Sequence, residues 1–98
     1  MVLLGFTGEF LYIILVYDLG VERVGKALKI CRQYLIHIQN SVFEGEIGEA
    51  NLSELKLKLD KMVKESDSII IFRFEGYNPR YVSREIIGLE KNSVSNII

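Results

Sequence analysis

The most apolar run of the sequence covers residues 10–17 and ends at a single carboxylate, Asp18. Its β-branched and aromatic residues favour a strand, and apolar residues at consecutive positions indicate that both faces of this strand are buried. A run of this length is far too short to span a bilayer. An unpaired charge beside a buried strand is unfavourable, so Asp18 needs a physical reason to be there. The end of this strand is therefore the first candidate functional site.

Length and cysteine content limit the class of protein. With 98 residues the chain allows one domain, whose modest core favours association with a second copy. The single cysteine, Cys31, excludes an intramolecular disulfide and a cysteine-rich zinc site, which fits a reducing cytoplasm. The N-terminus lacks the positively charged start of a signal peptide. We therefore expect a cytoplasmic protein without a membrane partner.

Charge is distributed unevenly along a chain whose net charge is only −1. Residues 1–40 carry four basic and three acidic side chains, whereas residues 44–67 carry four basic and seven acidic ones. A phosphate-bearing partner is therefore expected near the first strand end and the helix after it, and not at the second helix.

The spacing of apolar residues predicts two helices. Leu19-Gly20 ends the first strand, and apolar residues then recur at helical spacing. These residues are Val21, Val24, Leu28, Cys31 and Leu35. The second helix is predicted to start at Asn51, which precedes Glu54 in the spacing of a capping box.

Extended segments are predicted for residues 37–47, 68–74 and 84–90, and the tail, residues 92–98, is a candidate fifth strand. The predicted order is strand, helix, strand, helix, strand, strand. We assign it to an α+β fold with a mainly antiparallel sheet and both helices on one face. The other face of such a sheet is usually polar, but residues 13–16 and 69–71 are apolar throughout. A second copy of the chain would cover that face, which predicts a homodimer.

Two strand motifs resemble the smaller of the two CRISPR-associated proteins that acquire new spacers, the Cas2 family. The motifs are Tyr12-Ile13-Ile14-Leu15-Val16-Tyr17-Asp18 and Gln39-Asn40-Ser41-Val42-Phe43-Glu44-Gly45, which flank a helix. Shorter matches at Glu22-Arg23-Val24 and Ile86-Ile87-Gly88 extend the resemblance over residues 11–98.

The resemblance implies a ferredoxin-like protomer and a homodimer in which the C-terminal strand of each chain joins the sheet of the other. It also implies two activities. One is metal-dependent endonuclease activity on RNA or DNA. The other is a scaffold role, in which the dimer bridges two dimers of the larger CRISPR integrase around a DNA duplex.

The resemblance also assigns roles to individual residues. The family's metal ligand falls on Asp18, its basic residue on Arg23, and the aromatic residue of its second strand on Phe43. Some relatives carry arginine where this chain has His37, so a phosphate-binding role at this position does not carry over.

The resemblance also divides the chain. Residues 1–10 precede the point where relatives normally begin, and residues 11–98 form the single ferredoxin-like domain. Leu11 can be encoded by an alternative bacterial start codon, so one hypothesis places the natural start there. The mass of the N-terminal peptide of the natively expressed protein tests it.

Asp18 has two interpretations. A turn aspartate often caps a helix or is simply solvated. Alternatively, two Asp18 residues that meet across a dimer axis share one divalent cation, with water and phosphate oxygens completing its coordination. With the resemblance, we predict Asp18 as the catalytic residue and as a ligand of Mg²⁺, or another divalent cation, shared with Asp18 of the second chain.

Four basic residues follow Asp18 at intervals of three. We predict that Arg23 and Lys26, which lie nearest the strand end, bind nucleic acid, and that Lys29 and Arg32 form an ordinary solvated helix face. The candidate dimer-interface residues are Phe43, Val94, Ile97 and Ile98. For Phe43, packing in the core is the alternative to packing at the interface.

Three functions stay open from the sequence. The first is a homodimeric nucleic-acid-binding scaffold for the spacer integrase. The second is a Mg²⁺-dependent phosphodiesterase built on paired Asp18 residues. The third, outside this family, is a toxin-like ribonuclease or a small regulatory ligand-binding module on the same fold.

Overall fold

The structure, a computed structural model, describes residues 10–75 and 82–90. It contains five strands and two helices in these ranges. They are β1 (Phe10–Asp18), α1 (Val21–Arg32), β2 (Ile36–Gln39), β3 (Val42–Gly48), α2 (Glu49–Met62), β4 (Ser68–Phe74) and β5 (Val82–Gly88).

The strands form one antiparallel sheet in the order β2-β3-β1-β4-β5. The first four strands and the two helices follow one another as βαββαβ, which is the ferredoxin-like arrangement. The fifth strand returns antiparallel along β4 at the edge of the sheet. The predicted α+β class with an antiparallel sheet is confirmed.

The predicted order of elements was wrong in one place. The sequence suggested one extended segment over residues 37–47, but the structure divides it into the hairpin of β2 and β3. Asn40 turns the chain with a positive φ of 38°, a conformation that asparagine tolerates better than most residues. The five strands of the described residues therefore include both strands of this hairpin, and the candidate strand at residues 92–98 lies outside the described residues.

The core lies between the sheet and the two helices. Side chains of β1 alternate, so that Leu11, Ile13 and Leu15 are buried beneath the helices. The helices contribute the residues Ala27, Ile30, Cys31, Leu52, Leu55, Leu59 and Met62. Both helices thus pack on the same face of the sheet, around a shared core.

The predicted apolar stripe of the first helix is confirmed at Leu28, Cys31 and Leu35, which lie in or against the core, but not at its first two positions. Val21 and Val24 are 86% and 36% exposed, whereas Ala27 and Ile30 are buried. The first turn of α1 is held by polar contacts of Arg23, which leave Val21 facing outward. In addition, α2 begins at Glu49 after Gly48, so that Asn51 lies inside the helix and does not cap it.

The second face of the sheet, called the open face below, carries no helix. Side chains directly opposite one another in an antiparallel pair lie on the same face of the sheet. The pairings of β1 with β3 and β4, and of β4 with β5, therefore identify the side chains on the open face. Its members are Tyr12, Ile14, Val16, Asp18, Val42, Glu44, Glu46, Ser68, Ile70, Phe72, Phe74, Val82, Arg84 and Ile86. Most of them are apolar, which is unusual for the solvent side of an antiparallel sheet.

Candidate functional site

Asp18 is the last residue of β1 and lies on the open face, directly opposite Ser68 of β4. It is exposed, whereas Ser68 is buried at 6% exposure. A pocket of about 190 Å³ lies beside it, between the ends of β1, β4 and β5. Its polar lining consists of Asp18, Ser68, Arg84 and Glu90.

A second depression, of about 350 Å³, lies on the other side of Asp18. It is bounded by Leu19 and Val24 at the start of α1 and by Asn40 and Ser41 in the hairpin turn. The backbone N–H of Tyr17 donates to the carbonyl of Ser41 at 3.1 Å, which fixes this turn against the end of β1. Asp18 therefore projects between two concave regions.

Directly behind Asp18, on the helix side of the sheet end, lies a fully buried carboxylate, Asp67. Its Oδ1 accepts the backbone N–H of Gly20 at 2.8 Å, and its Oδ2 accepts that of Lys64 at 2.9 Å. The guanidinium of Arg23 donates to both oxygens, through Nη2 at 3.0 Å and through Nε. We call Asp67, Arg23 and Gly20 the Asp67 cluster.

The Asp67 cluster stabilises a charge that would otherwise be unfavourable in the interior. Hydrogen bonds from Arg23, followed by those from the Gly20 and Lys64 backbones, lower the pKa of Asp67 well below its usual range although burial opposes this. In turn, the hydrogen bond to Asp67 raises the pKa of Arg23. The cluster holds Gly20, two residues beyond Asp18, and thereby fixes the turn that carries the candidate ligand.

The same carboxylate residue anchors the end of β5. The N–H of Leu89 donates to the Asp67 carbonyl at 2.8 Å. The preceding residue, Gly88, has a φ of 89°, and a Cβ there would lie 2.5 Å from that carbonyl oxygen. Only glycine fits this close approach without strain. Asp67 thus ties together the strand ends on both sides of the pocket.

Arg23 is therefore engaged within the fold. Its side chain is 16% exposed and also donates to Glu22 at 3.0 Å. Lys26, the other predicted nucleic-acid-binding residue, is exposed on α1, whereas Lys29 and Arg32 continue the same helix toward its end. The four basic residues thus separate into one that holds the Asp18 turn and three that lie further along α1.

Phe43 lies in the core of one chain with none of its surface exposed. Its ring packs against Tyr17, with 5.8 Å between centroids, and is stacked on His37 at 4.6 Å. His37 also bonds through Nε2 to the Asn40 carbonyl, 2.7 Å away. Phe43 therefore has no side-chain surface to offer a second chain. Its predicted role at a dimer interface is therefore replaced by packing in the core, and the other predicted interface residues, Val94, Ile97 and Ile98, lie outside the described residues.

Within residues 10–75 and 82–90, no three His, Cys, Asp or Glu side chains are placed to hold a metal ion together. The exposed carboxylate of Asp18 is a hard oxygen ligand of the kind that Mg²⁺ prefers, and a second copy of the chain would supply another. Cys31 has no such role, because burial raises its pKa to about 12 and keeps it a thiol.

Sequence reasoning missed Asp67, Arg84 and Glu90. Asp67 lies just before the predicted extended segment 68–74, and Arg84 and Glu90 are the limits of the predicted segment 84–90. The signal that singled out Asp18, a carboxylate next to an apolar strand, also applies to Asp67, which precedes residues 69–71. No comparable signal marks Arg84 and Glu90, since their position depends on how β5 pairs with β4.

An antiparallel ferredoxin-like sheet with an acidic residue at the end of its first strand and an apolar second face defines a class of small α+β proteins. The family described as CRISPR associated protein Cas2 matches residues 11–79. The chain belongs to this family.

Individual relatives agree with this assignment. A protein of Pyrococcus furiosus named CRISPR-associated endoribonuclease Cas2 is 46% identical over 90% of this chain and 100% of its own length. Proteins of the same name from Fusobacterium nucleatum and Methanosarcina acetivorans are 37% and 41% identical. They match 93% and 90% of this chain, and 90% and 100% of their own lengths. A solved structure titled "Crystal structure of cas2" is 41% identical, with a TM-score of 0.66 over 91% of this chain and 99% of its own.

No helix in the described part of the chain is long and apolar enough to cross a membrane.

Proposed function

We propose that this chain is a homodimeric CRISPR adaptation protein that binds nucleic acid, carries a Mg²⁺-dependent phosphodiesterase centre on paired Asp18 residues, and acts as a scaffold for the spacer integrase. The observation that carries the proposal is the position of Asp18 at the margin of the open apolar face. Three relatives are named endoribonucleases, which supports phosphodiester chemistry on RNA.

The open face argues for the dimer. Tyr12 and Val82 are 41% and 37% exposed there, and the apolar residues between them are only partly buried. Monomeric proteins rarely leave a contiguous apolar sheet face in water. A second copy related by a two-fold axis covers the open face of each chain with the open face of the other. If that axis passes near the end of β1, the two Asp18 residues approach each other.

Two carboxylates that approach across an axis fit a divalent cation. When bound, Mg²⁺ supplies an activated water molecule and neutralises charge on the phosphate. The protein's own part is to hold Asp18 in place through the Asp67 cluster and to leave one side of the ion open to the pocket. Without the ion, the two carboxylates repel each other.

Phosphate binding is assigned to the exposed surface of α1 beside this centre. Lys26 is the nearest exposed cation in sequence, whereas Arg23 serves by holding the Asp18 turn to Asp67. In the scaffold role, the dimer binds a DNA duplex across both of its chains, together with the integrase. The expected substrate of cleavage is RNA.

Substitution of Asp18 tests the centre. Asp18→Asn keeps the shape but removes the charge that binds Mg²⁺, so ribonuclease activity should fall by about 100-fold or more. Nucleic-acid binding should be unchanged or slightly tighter, because each chain of the dimer loses a negative charge. The matched control is Asp60→Asn, an exposed aspartate on α2. Full activity of Asp18→Asn at equal purity and Mg²⁺ concentration would rule out the metal assignment.

The scaffold role is tested separately. Spacer integration by the larger partner should survive Asp18→Asn, because holding DNA does not require cleavage by this chain. Loss of integration in a variant that still forms the dimer and still binds DNA would show that cleavage is needed, and the scaffold proposal would fail.

A further inference from the structure

The depression between the start of α1 and the β2–β3 turn, called the Asn40 depression below, has one apolar and one polar wall. Its apolar wall consists of Leu19 and Val24 at the start of α1. Its polar wall consists of Asn40 and Ser41 in the turn. The volume of about 350 Å³ lies in the range of small-ligand sites, which combine apolar walls with a few polar groups.

The Asn40 depression stays accessible in the proposed dimer. Tyr17, which lines it, alternates with Asp18 along β1 and is buried on the helix side of the sheet. The apolar wall lies at the start of α1, which packs on that side as well. A second copy that covers the open face therefore leaves this depression in solvent. Because Asp18 also lines it, a nucleotide whose phosphate lies at Asp18 can place its base here.

The polar wall is fixed by the fold. The N–H of Tyr17 donates to the Ser41 carbonyl at 3.1 Å. Nε2 of His37 lies 2.7 Å from the Asn40 carbonyl, and the His37 ring is stacked on the buried Phe43. The backbone of Asn40 is thus held in place, and its side chain is exposed at the wall.

The apolar wall is fixed as well. Between Leu19 and α1, the N–H of Gly20 donates to the buried carboxylate of Asp67 at 2.8 Å. The N–H of Arg23 donates to the Gly20 carbonyl at 2.9 Å. Leu19 packs against the core, whereas Val24 is 36% exposed and offers apolar surface to a ligand. Because both walls are in place beforehand, binding costs little conformational entropy.

The two walls match the two kinds of surface that a nucleobase presents. The side-chain amide of Asn40 has two N–H donors and an acceptor oxygen, which fit the neighbouring donor and acceptor on the edge of a base. An unstacked base of single-stranded RNA exposes that edge, and its faces pack against apolar side chains. One wall therefore suits the edge of the ring and the other suits its face.

We infer that the Asn40 depression binds one unstacked nucleobase of an RNA strand whose phosphate lies at Asp18, with Asn40 reading the edge of the base and the apolar wall packing against its face. This rests on the proposed function, because RNA is the strand expected at Asp18. It adds a base preference, which phosphate contacts alone do not supply.

Binding of short RNA homopolymers tests the inference. The native dimer is titrated in EDTA with labelled oligoadenylate, oligocytidylate and oligouridylate of about ten nucleotides, a length that covers a typical single-strand site. The readout is the ratio of their dissociation constants. The strongest and the weakest of the three should differ by about fivefold or more, as expected when one base edge is read.

Two substitutions of Asn40 change the reading group and keep the turn, because glycine and aspartate both tolerate its positive φ. Asn40→Gly removes the amide, so the ratio should fall below about twofold. Asn40→Asp can only accept hydrogen bonds. Uracil is the only one of the three bases without an amino group, so oligouridylate should become the weakest ligand, by about tenfold relative to oligocytidylate.

Matched variants separate base reading from charge and from packing. Asn51→Asp makes the same change of charge at an exposed position of α2 and should leave the ratios unchanged. Val24→Ala should weaken binding of all three RNAs about threefold, because contact with the face of the base is lost. Val21→Ala should not, since Val21 is 86% exposed on the same helix and does not line the depression.

The outcomes separate the inference from the proposed function. If the native dimer binds all three RNAs equally, or if Asn40→Gly keeps the native ratio, the inference is wrong while the proposed function stands. If the native dimer binds a DNA duplex but none of the RNAs, the RNA chemistry and the inference both fail and the scaffold role stands. Should Asn40→Gly not form the native dimer, Asn40→Asp decides, and a native ratio of oligouridylate to oligocytidylate would contradict the inference.

Discussion

At the scale of single residues, the structure separates two aspartates with opposite tasks. Asp18 is exposed at the margin of the open face, where a ligand can reach it, whereas Asp67 is fully buried and accepts four hydrogen bonds. Asp67 has no access to a ligand. Its effect on function passes through the turn that it holds.

The first prediction concerns Asp67→Asn. An amide cannot accept both guanidinium bonds and both backbone bonds, and it leaves Arg23 without its buried counter-charge. Breaking a buried pair in this way costs about 3 kcal/mol of unfolding free energy. Urea denaturation at fixed protein concentration measures it.

Glu22→Gln is the control, because it removes the exposed partner of the same arginine. It should leave the urea midpoint almost unchanged. If both variants unfold at the native midpoint, the Asp67 cluster does not contribute to the stability of the fold.

The second prediction concerns acid. Since Arg23 lowers the pKa of Asp67 in the folded state, the unfolded chain takes up a proton at this group first as pH falls. The contribution of Asp67 to stability is therefore complete above about pH 5, and falls by up to about 1.4 kcal/mol per pH unit below about pH 4. Denaturation series between about pH 3 and pH 7 should show this slope in the native protein and a shallower one in Asp67→Asn. Equal slopes would contradict the lowered pKa.

The candidate site could be predicted from the sequence only where a residue's role follows from its neighbours in the chain. Asp18 stands out because the apolar run before it is local. The role of Arg23 depends on Asp67, which lies 44 residues away. A pair so distant leaves no local pattern, so the sequence indicated a surface cation where the structure has a partly buried ion pair.

At the scale of elements, the β2–β3 hairpin explains why the sequence suggested the wrong strand order. Residues 37–47 contain no glycine or proline before Gly45, and the turn depends on Asn40 and Ser41 alone. β1, α2 and β4 were predicted correctly in type, because each has a long apolar pattern of its own. The short, exposed β2 has none.

The third prediction compares two glycines. Gly88→Ala should lower the unfolding free energy by about 1–3 kcal/mol, because alanine is strained at a positive φ and its Cβ would meet the Asp67 carbonyl. Gly25→Ala should raise it by about 0.5–1 kcal/mol, since Gly25 lies inside α1 with nothing within 4 Å of the added Cβ. Thermal denaturation should shift in opposite directions, and equal shifts would contradict the account of the β5 end.

At the scale of the whole molecule, the proposed dimer depends on the open face. The fourth prediction is that Phe72→Glu dissociates the dimer at micromolar concentration, because it places a charge within the apolar face. Leu57→Glu is the control, since Leu57 is 62% exposed on α2, away from that face. Light scattering should give the mass of one chain for the first variant and of two for the second. Two chains for both would place the interface elsewhere.

The apolar pattern that predicted the core also predicted the open face. Alternate residues of β1 lie under the helices and on the open face, so the continuous apolar run indicates that both faces of the strand are apolar. A single chain does not specify what covers its open face. The dimer therefore stays a proposal that rests on exposed apolar side chains.

The shared ion is the central claim, and the number of ions bound per dimer tests it most directly. Mn²⁺ takes the oxygen ligands of Mg²⁺ and is counted by electron paramagnetic resonance during titration. The account predicts one tightly bound ion per two chains, and none in Asp18→Asn. One ion per chain, or undiminished binding in Asp18→Asn, would contradict it.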